Sequence, residues 1–103
     1  MIRHIVAVKF PAETAEPARQ QVLQALAEMR DLVNGVLDFQ IRANVSPEDP
    51  VVRGFKDLFW FDFADAQTRD AYLMHPRHKE LGAQLVAAAD GGVDGIFVID
   101  VEI

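Results

Sequence analysis

The sequence predicts an α+β fold, with four antiparallel strands in one sheet and helices covering one face of that sheet. Apolar residues alternate in four separate stretches, as they do in half-buried strands, and the intervals after the first and third stretches have the apolar spacing of helices. The 103 residues, half of them hydrophobic, suit one domain that spans residues 1–103.

The first strand is predicted at residues 2–10, where apolar side chains alternate, and Pro11 ends it. A long helix is predicted at residues 14–33, because Pro17 is tolerated in a first turn and the pair Asn34-Gly35 is a stop signal. One apolar stripe follows this helix and consists of Val22, Leu23, Leu26, Met29 and Leu32.

The second strand is predicted at residues 36–45, and a proline-rich acidic surface loop follows it at residues 46–50. Its inward-facing side chains are expected to be Leu37, Phe39, Ile41, Ala43 and Val45. The third strand, at residues 55–63, has large apolar side chains on both faces, so both faces of the sheet require cover there.

Two helices are predicted between the third and fourth strands. Asp65 is the expected N-cap of a short helix that runs through Tyr72, and Pro76 opens a second helix that ends at Gly91-Gly92. The last strand is predicted at residues 96–103. One of its faces carries Phe97, Ile99, Val101 and Ile103, and the other carries Ile96, Val98, Asp100 and Glu102.

This order of elements is typical of the ferredoxin-like arrangement, in which helices cover only one face of the sheet. The opposite face would expose more contiguous apolar area than monomers usually tolerate. Its members are Ile5, Leu58, Trp60, Phe97, Ile99, Val101 and Ile103. We therefore expect a homodimer in which the helix-free faces of two sheets meet in a shared, barrel-like core.

The composition excludes several classes of protein. A net charge of −6 with scattered basic residues argues against a nucleic-acid surface. The absence of cysteine excludes disulfides and cysteine-ligated metals. The amino terminus lacks the apolar core of a signal peptide, and no apolar stretch is long enough to span a bilayer, so we expect a cytoplasmic protein that does not bind membranes.

The segment from Tyr72 to His78 concentrates groups that can move protons near neutral pH. Pro76 interrupts the helix and places His75 at a corner. The bend allows Tyr72 and His78 to converge on one pocket, which their spacing would not allow in a straight helix. His78 would be the base that removes a proton next to a carbonyl, and Tyr72 would donate a hydrogen bond to the enolate oxygen.

Strand parity adds three polar candidates to this pocket. His4, Asp57 and Asp100 all occupy strand positions that face the helices. Asp100 is in addition a candidate to fix the tautomer of His78 through one ring nitrogen.

A structural interpretation is open for each of these residues. Tyr72 and His78 would then satisfy one another and fasten the corner, and His75 would cap the second helix. His4 would be a core histidine and Asp57 an ordinary strand carboxylate. No metal site is expected, because a break separates the two histidines of the corner and the sequence supplies no third ligand.

Motifs along nearly the whole chain resemble the stress-responsive dimeric α/β-barrel (Dabb) family. They are the opening Ile2 to Phe10, the Asn34-Gly35 turn, Asn44-Val45-Ser46, the passage from Phe61 to Asp65, and Tyr72, His75, Pro76 and His78. The resemblance implies a ferredoxin-like protomer and a homodimeric α/β barrel. It also implies small proteins linked to stress responses and, in the olivetolic acid cyclase branch, a cofactor-free aldol cyclisation.

The resemblance to that cyclase places a catalytic tyrosine at Tyr72 and a catalytic histidine at His78. It places cavity residues at His4 and Asp100. At the position of a further cavity histidine of the cyclase, this sequence has Asp57. Where the first helix of the cyclase has aromatic residues, this sequence has Val22, Leu23 and Leu26, so the pocket shape and the substrate would differ. The apolar residues expected to contact a ligand are Val22, Leu26 and Leu81.

Two classes of function follow. In one, the protein binds or transforms a small apolar carbonyl compound without a cofactor, by aldol, cyclase or isomerase-like acid/base chemistry. In the other, it is a stress-associated structural dimer without chemistry. An open, partly apolar cavity of a few hundred Å³ that reaches Tyr72 and His78 would favour the first class, and a filled interior would favour the second.

Overall fold

The computed structural model describes all 103 residues and confirms the predicted fold class. Its four strands form one antiparallel sheet in the order β2-β3-β1-β4. The strands are β1 (Ile2–Val8), β2 (Val36–Ala43), β3 (Asp57–Phe63) and β4 (Ile96–Glu102). The helices are α1 (Glu16–Ala25), α2 (Met29–Leu32), α3 (Asp49–Val52), α4 (Ala66–Met74) and α5 (Pro76–Ala88), and the 3₁₀ turns are Leu26–Glu28 and Gly92–Gly95.

The central strand β1 shows the two-residue period that the sequence predicts. Ile2, His4, Val6 and Val8 are buried on the helix-covered face, and the residues between them are only partly buried. His4 lies opposite Phe61 of β3 and opposite Asp100 of β4. The pairing of β1 with β4 therefore places an imidazole directly beside a carboxylate.

The first helical segment is less regular than predicted. It begins at Glu16, passes through the 3₁₀ turn at Leu26–Glu28 and ends at Leu32. Leu23, Leu26 and Met29 are buried, but Leu32 is exposed, and the next residue, Val33, continues the buried stripe in its place. Gly35 then adopts a φ of +95°, which favours glycine.

Two predicted inward positions of β2 are wrong. A register irregularity between Val36 and Asp38 turns Leu37 outward, and Val45 lies beyond the end of the strand. Both side chains are exposed, whereas Phe39 is buried as predicted. The last two residues of the predicted loop after β2 already belong to the one-turn helix α3, which begins at Asp49.

Capping residues begin both α4 and α5 as predicted. The Asp65 carboxylate accepts a hydrogen bond from the Thr68 N–H at 2.8 Å, and Nδ1 of His75 accepts one from the Arg77 N–H at 3.0 Å. His75 has extended backbone angles because it precedes Pro76. The prediction that His75 caps the second helix is therefore confirmed.

The helix-free face of the sheet carries exposed apolar side chains in the single chain. Phe97, Ile99, Val101 and Ile103 are all at least two-fifths exposed. On β3, which β1 separates from β4, the Trp60 ring lies beneath the guanidinium groups of Arg3 and Arg42. Its buried Nε1–H has no acceptor. No helix has the combination of length and hydropathy that a membrane span requires.

Candidate functional site

A cavity of about 580 Å³ lies between the sheet and the helices α4 and α5. Most of its lining is apolar, and its polar groups converge from β1, β4 and the α4–α5 corner. The lining residues are His4, Val6, Leu26, Phe59, Tyr72, Leu73, His78, Lys79, Gly82, Ala83, Leu85, Val86, Ile96, Val98 and Asp100. An apolar cavity with a few convergent polar groups is the usual form of a small-molecule site.

The corner at Pro76 brings Tyr72 and His78 together as the sequence predicts. Their ring centroids lie 4.4 Å apart with the planes inclined at 53°. Tyr72 is 1% exposed and packs on Phe61 and Phe63 with centroid distances of 4.9 and 5.1 Å. This packing holds the phenol in one orientation at the cavity wall.

Burial sets the protonation of both groups. It raises the pKa of the Tyr72 phenol well above its ordinary value, so the hydroxyl remains a donor. Burial also lowers the pKa of His78, and this effect exceeds that of the Leu73 backbone, which raises the pKa. His78 is therefore neutral at pH 7, and its buried Nδ1 has no hydrogen-bond partner.

The structure assigns Asp100 to a different histidine from the one predicted. Nδ1 of His4 lies 2.6 Å from one carboxylate oxygen of Asp100, and Nη1 of Arg69 donates to the other at 3.0 Å. Asp100 therefore does not fix the tautomer of His78, because β4 presents it directly to β1. Burial lowers the pKa of His4, and the nearby Asp100 carboxylate only partly offsets this effect.

Three other predicted contacts lie outside the cavity. Asp57 faces the helices, but at the far end of β3, where it lies 3.6 Å from Nε of Arg19 beside a separate polar groove. Val22 packs at the edge of the core, and Leu81 lies within the core. Neither lines the cavity, whereas Leu26 does.

The sequence prediction missed two basic residues near the cavity. Lys79 lines it, and Arg69 reaches Asp100 at its wall. Arg69 precedes Tyr72 by three residues on α4, so helical spacing alone would have placed the two on one face. No cluster of three or more histidine or acidic side chains suited to a metal ion is present.

Together, the sheet and its cavity define a small α+β protein of ferredoxin-like fold with a pocket between sheet and helices. Residues 2–103 match the family described as the Stress responsive A/B Barrel Domain, Dabb. The chain belongs to this family, as its motifs predict. No curated protein matches the sequence.

Solved structures share the fold over almost the whole chain. A dimeric ferredoxin-like protein of unknown function from Jannaschia sp. is 30% identical, with 99% of this chain and 98% of that chain covered and a TM-score of 0.80. A protein from Arabidopsis thaliana is 19% identical, with 100% and 95% covered and a TM-score of 0.86. A hydroxynitrile lyase from Passiflora edulis is 15% identical, with 99% and 92% covered and a TM-score of 0.81.

Proposed function

We propose that the protein binds a small, largely apolar carbonyl compound in the cavity and moves protons on it without a cofactor. The observation that carries this proposal is the position of Tyr72 and His78, whose rings lie 4.4 Å apart at the wall of an open apolar cavity of about 580 Å³. A cavity of this kind is what the catalytic interpretation requires and what a filled structural core would lack.

The proposed chemistry is enolisation. Neutral His78 takes a proton from the carbon next to the carbonyl, so a C–H bond breaks, an N–H bond forms and the electron pair moves to the carbonyl oxygen. The Tyr72 hydroxyl donates a hydrogen bond to that oxygen as its negative charge develops. The low pKa of His78 and the high pKa of Tyr72 suit these roles at neutral pH.

One structural neighbour is compatible with this chemistry. The Passiflora edulis protein is named as a hydroxynitrile lyase, and it shares the fold of this chain at 15% identity. The resemblance to the cyclase branch of the family points the same way, toward bond-making or bond-breaking next to a carbonyl. The resemblance places Leu26, which lines the cavity, where the first helix of the cyclase has an aromatic residue, so a different substrate is proposed.

We further propose a homodimer formed through the helix-free face of the sheet. The exposed apolar side chains of β4 and the unpartnered indole of Trp60 support this choice of face. The relative from Jannaschia sp., 30% identical, is described as dimeric. The same surface favours the second candidate function, a stress-associated structural dimer without chemistry.

Exchange of ketone α-protons in D₂O tests the proposed chemistry. Small methyl ketones such as 2-heptanone are incubated with the protein, and loss of the α-proton signal is followed by NMR. We expect the protein to accelerate exchange, His78→Ala to reduce the rate by about 10²–10⁴-fold and Tyr72→Phe by about 10²–10³-fold.

The matched control is His75→Asn, because His75 caps α5 and an asparagine oxygen also caps a helix. This variant should exchange the ketone at the wild-type rate. If the wild type and the Tyr72 and His78 variants all give the rate of buffer alone, the catalytic proposal fails and the structural dimer is favoured.

A further inference from the structure

Three side chains form a hydrogen-bonded chain at the cavity wall. Arg69 on α4 donates to Asp100 on β4 at 3.0 Å, and Asp100 lies 2.6 Å from Nδ1 of His4 on β1. His4 is 5% exposed, so contacts within the protein fix the position of its imidazole. Both oxygens of the Asp100 carboxylate are occupied, one by each basic partner.

This arrangement selects one tautomer of His4. An ionised carboxylate only accepts hydrogen bonds, so the proton of neutral His4 resides on Nδ1 and points at Asp100. The other ring nitrogen, Nε2, then carries a lone pair. Nε2 makes no hydrogen bond within the protein and is not among its buried unpaired atoms, so it borders the cavity.

The two neighbouring polar groups of the cavity are therefore complementary. The Tyr72 hydroxyl is a donor, and its ring lies 5.7 Å from the ring of His4, whose free nitrogen is an acceptor. A ligand that satisfies both groups presents an acceptor oxygen to Tyr72 and a donor hydroxyl to His4. Because the two rings are this close, one small molecule that carries both groups can reach the two side chains.

We propose that His4 accepts a hydrogen bond from a ligand hydroxyl and that Arg69 and Asp100 are positioning residues that fix its tautomer. The ligand class is then narrower than in the proposed function, on which this inference rests: an apolar compound that carries a hydroxyl, alcoholic or phenolic, next to its carbonyl group. Arg69 balances the charge of Asp100, so the cavity wall does not repel electron-rich ligands.

A pair of probes that differ only in the hydroxyl tests the hydrogen bond. 4-Propylphenol can donate to His4, whereas 4-propylanisole carries a methyl ether in its place and cannot. Isothermal titration calorimetry should give a preference of about tenfold for the phenol, the effect of one buried hydrogen bond. Equal affinities would overturn the proposal.

Asp100→Asn tests the positioning role. The asparagine amide can donate to Nδ1, which moves the ring proton to Nε2 and makes His4 a donor in the cavity. The preference should then disappear or reverse toward the ether, and ¹⁵N NMR of the imidazole should report the tautomer change. A wild-type His4 protonated on Nε2, or an unchanged preference in Asp100→Asn, would overturn the inference.

Arg69→Met provides a second variant should Asp100→Asn fail to fold. It should reduce the phenol preference, and Arg69→Lys should restore part of it. The matched control is Arg77→Met, because Arg77 pairs with Glu28 and Glu80 outside the cavity. An equal loss of preference in both methionine variants would contradict a positioning role for Arg69.

The two proposals fail separately. Ketone exchange that depends on Tyr72 and His78 without a phenol preference would overturn the role of His4 alone. A phenol preference without any exchange would overturn the proposed chemistry and leave the role of His4 in binding supported.

Discussion

At the scale of single residues, strand parity gives the sheet face on which a candidate residue lies but not its neighbours. The neighbours decide which candidates belong to the cavity. Parity placed His4, Asp57 and Asp100 on the helix-covered face, and all three lie there. Asp57 lies opposite Val8, however, and four residues along β3 from the Phe61 that pairs with His4. That spacing is about 13 Å along a strand, so Asp57 belongs to another groove.

The partner of Asp100 escaped the sequence prediction for a related reason. Hydrogen bonding between β1 and β4 places His4 directly opposite Asp100, and this register is a long-range property. Local patterns gave the face of each residue but not the neighbour across the sheet. The convergence of Tyr72 and His78 was predictable, since it depends only on a local break at Pro76.

Acidification is expected to destabilise the fold through His78. Burial lowers the pKa of His78 below its ordinary value of 6.5 in the folded state, whereas the unfolded chain restores it. Between these two pKa values the unfolded state binds more protons, so the free energy of unfolding decreases as the pH falls through 6.5 and levels off below the folded pKa.

Urea denaturation at several pH values between about 7.5 and 5 measures this slope. In His78→Gln the slope should be smaller, because the substituted side chain does not titrate. An identical pH dependence in the wild type and the variant would show that His78 is not responsible.

At the scale of elements, breaks and caps were predictable, but irregular hydrogen bonding was not. Asp65 and His75 cap the helices on either side of the corner as their sequence positions indicate. The 3₁₀ turn at Leu26–Glu28 and the outward rotation of Leu37 were missed. Both are small adjustments by which an element fits a packed neighbour, and an apolar period carries no signal for them.

Two glycines on neighbouring elements should respond to alanine in opposite directions. A Cβ at Gly95 would lie 2.5 Å from the carbonyl oxygen of Asp90, in the 3₁₀ turn that leads into β4, whereas a Cβ at Gly82 in α5 would meet nothing within 4 Å. We expect Gly95→Ala to cost about 1–3 kcal/mol and Gly82→Ala to stabilise by about 0.5–1 kcal/mol.

Thermal and urea unfolding of both variants against the wild type give the two signs. A neutral Gly95→Ala would mean that the turn relaxes around the methyl group at little cost. A destabilising Gly82→Ala would mean that α5 packs more tightly at this position than its surroundings indicate.

At the scale of the whole molecule, the sequence predicted which sheet face the helices leave uncovered, because that prediction needs only the strand pattern and a count of the helices. On this face Phe97, Ile99 and Val101 of β4 are exposed as predicted, whereas Ile5, Leu58 and Trp60 are only partly exposed. Across the same face, Asp62 is buried in a two-point ion pair with Arg3 at 2.8 and 3.1 Å. Most of the exposed apolar area of this face lies toward the edge strand.

A charge placed on this face should prevent self-association. We expect the wild type to have twice the mass of one chain in analytical ultracentrifugation and Ile99→Glu to shift toward the single-chain mass, because a carboxylate buried at an interface without a partner is costly. Met74→Glu is the matched control, since Met74 is also exposed and apolar but lies at the end of α4, on the side of the sheet that the helices cover. A dimer that persists in Ile99→Glu would place the interface elsewhere.

Strand β4 takes part in both the proposed ligand site and the proposed dimer, and this has a thermodynamic consequence. Val98 and Asp100 border the cavity, while Phe97, Ile99 and Val101 alternate with them on the opposite side of the same strand. A bound ligand and a second subunit would therefore contact the same strand from its two sides. If ligand binding changes the affinity between subunits, dimerisation changes the affinity for the ligand by the same factor. Ligand occupancy would then depend on the protein concentration.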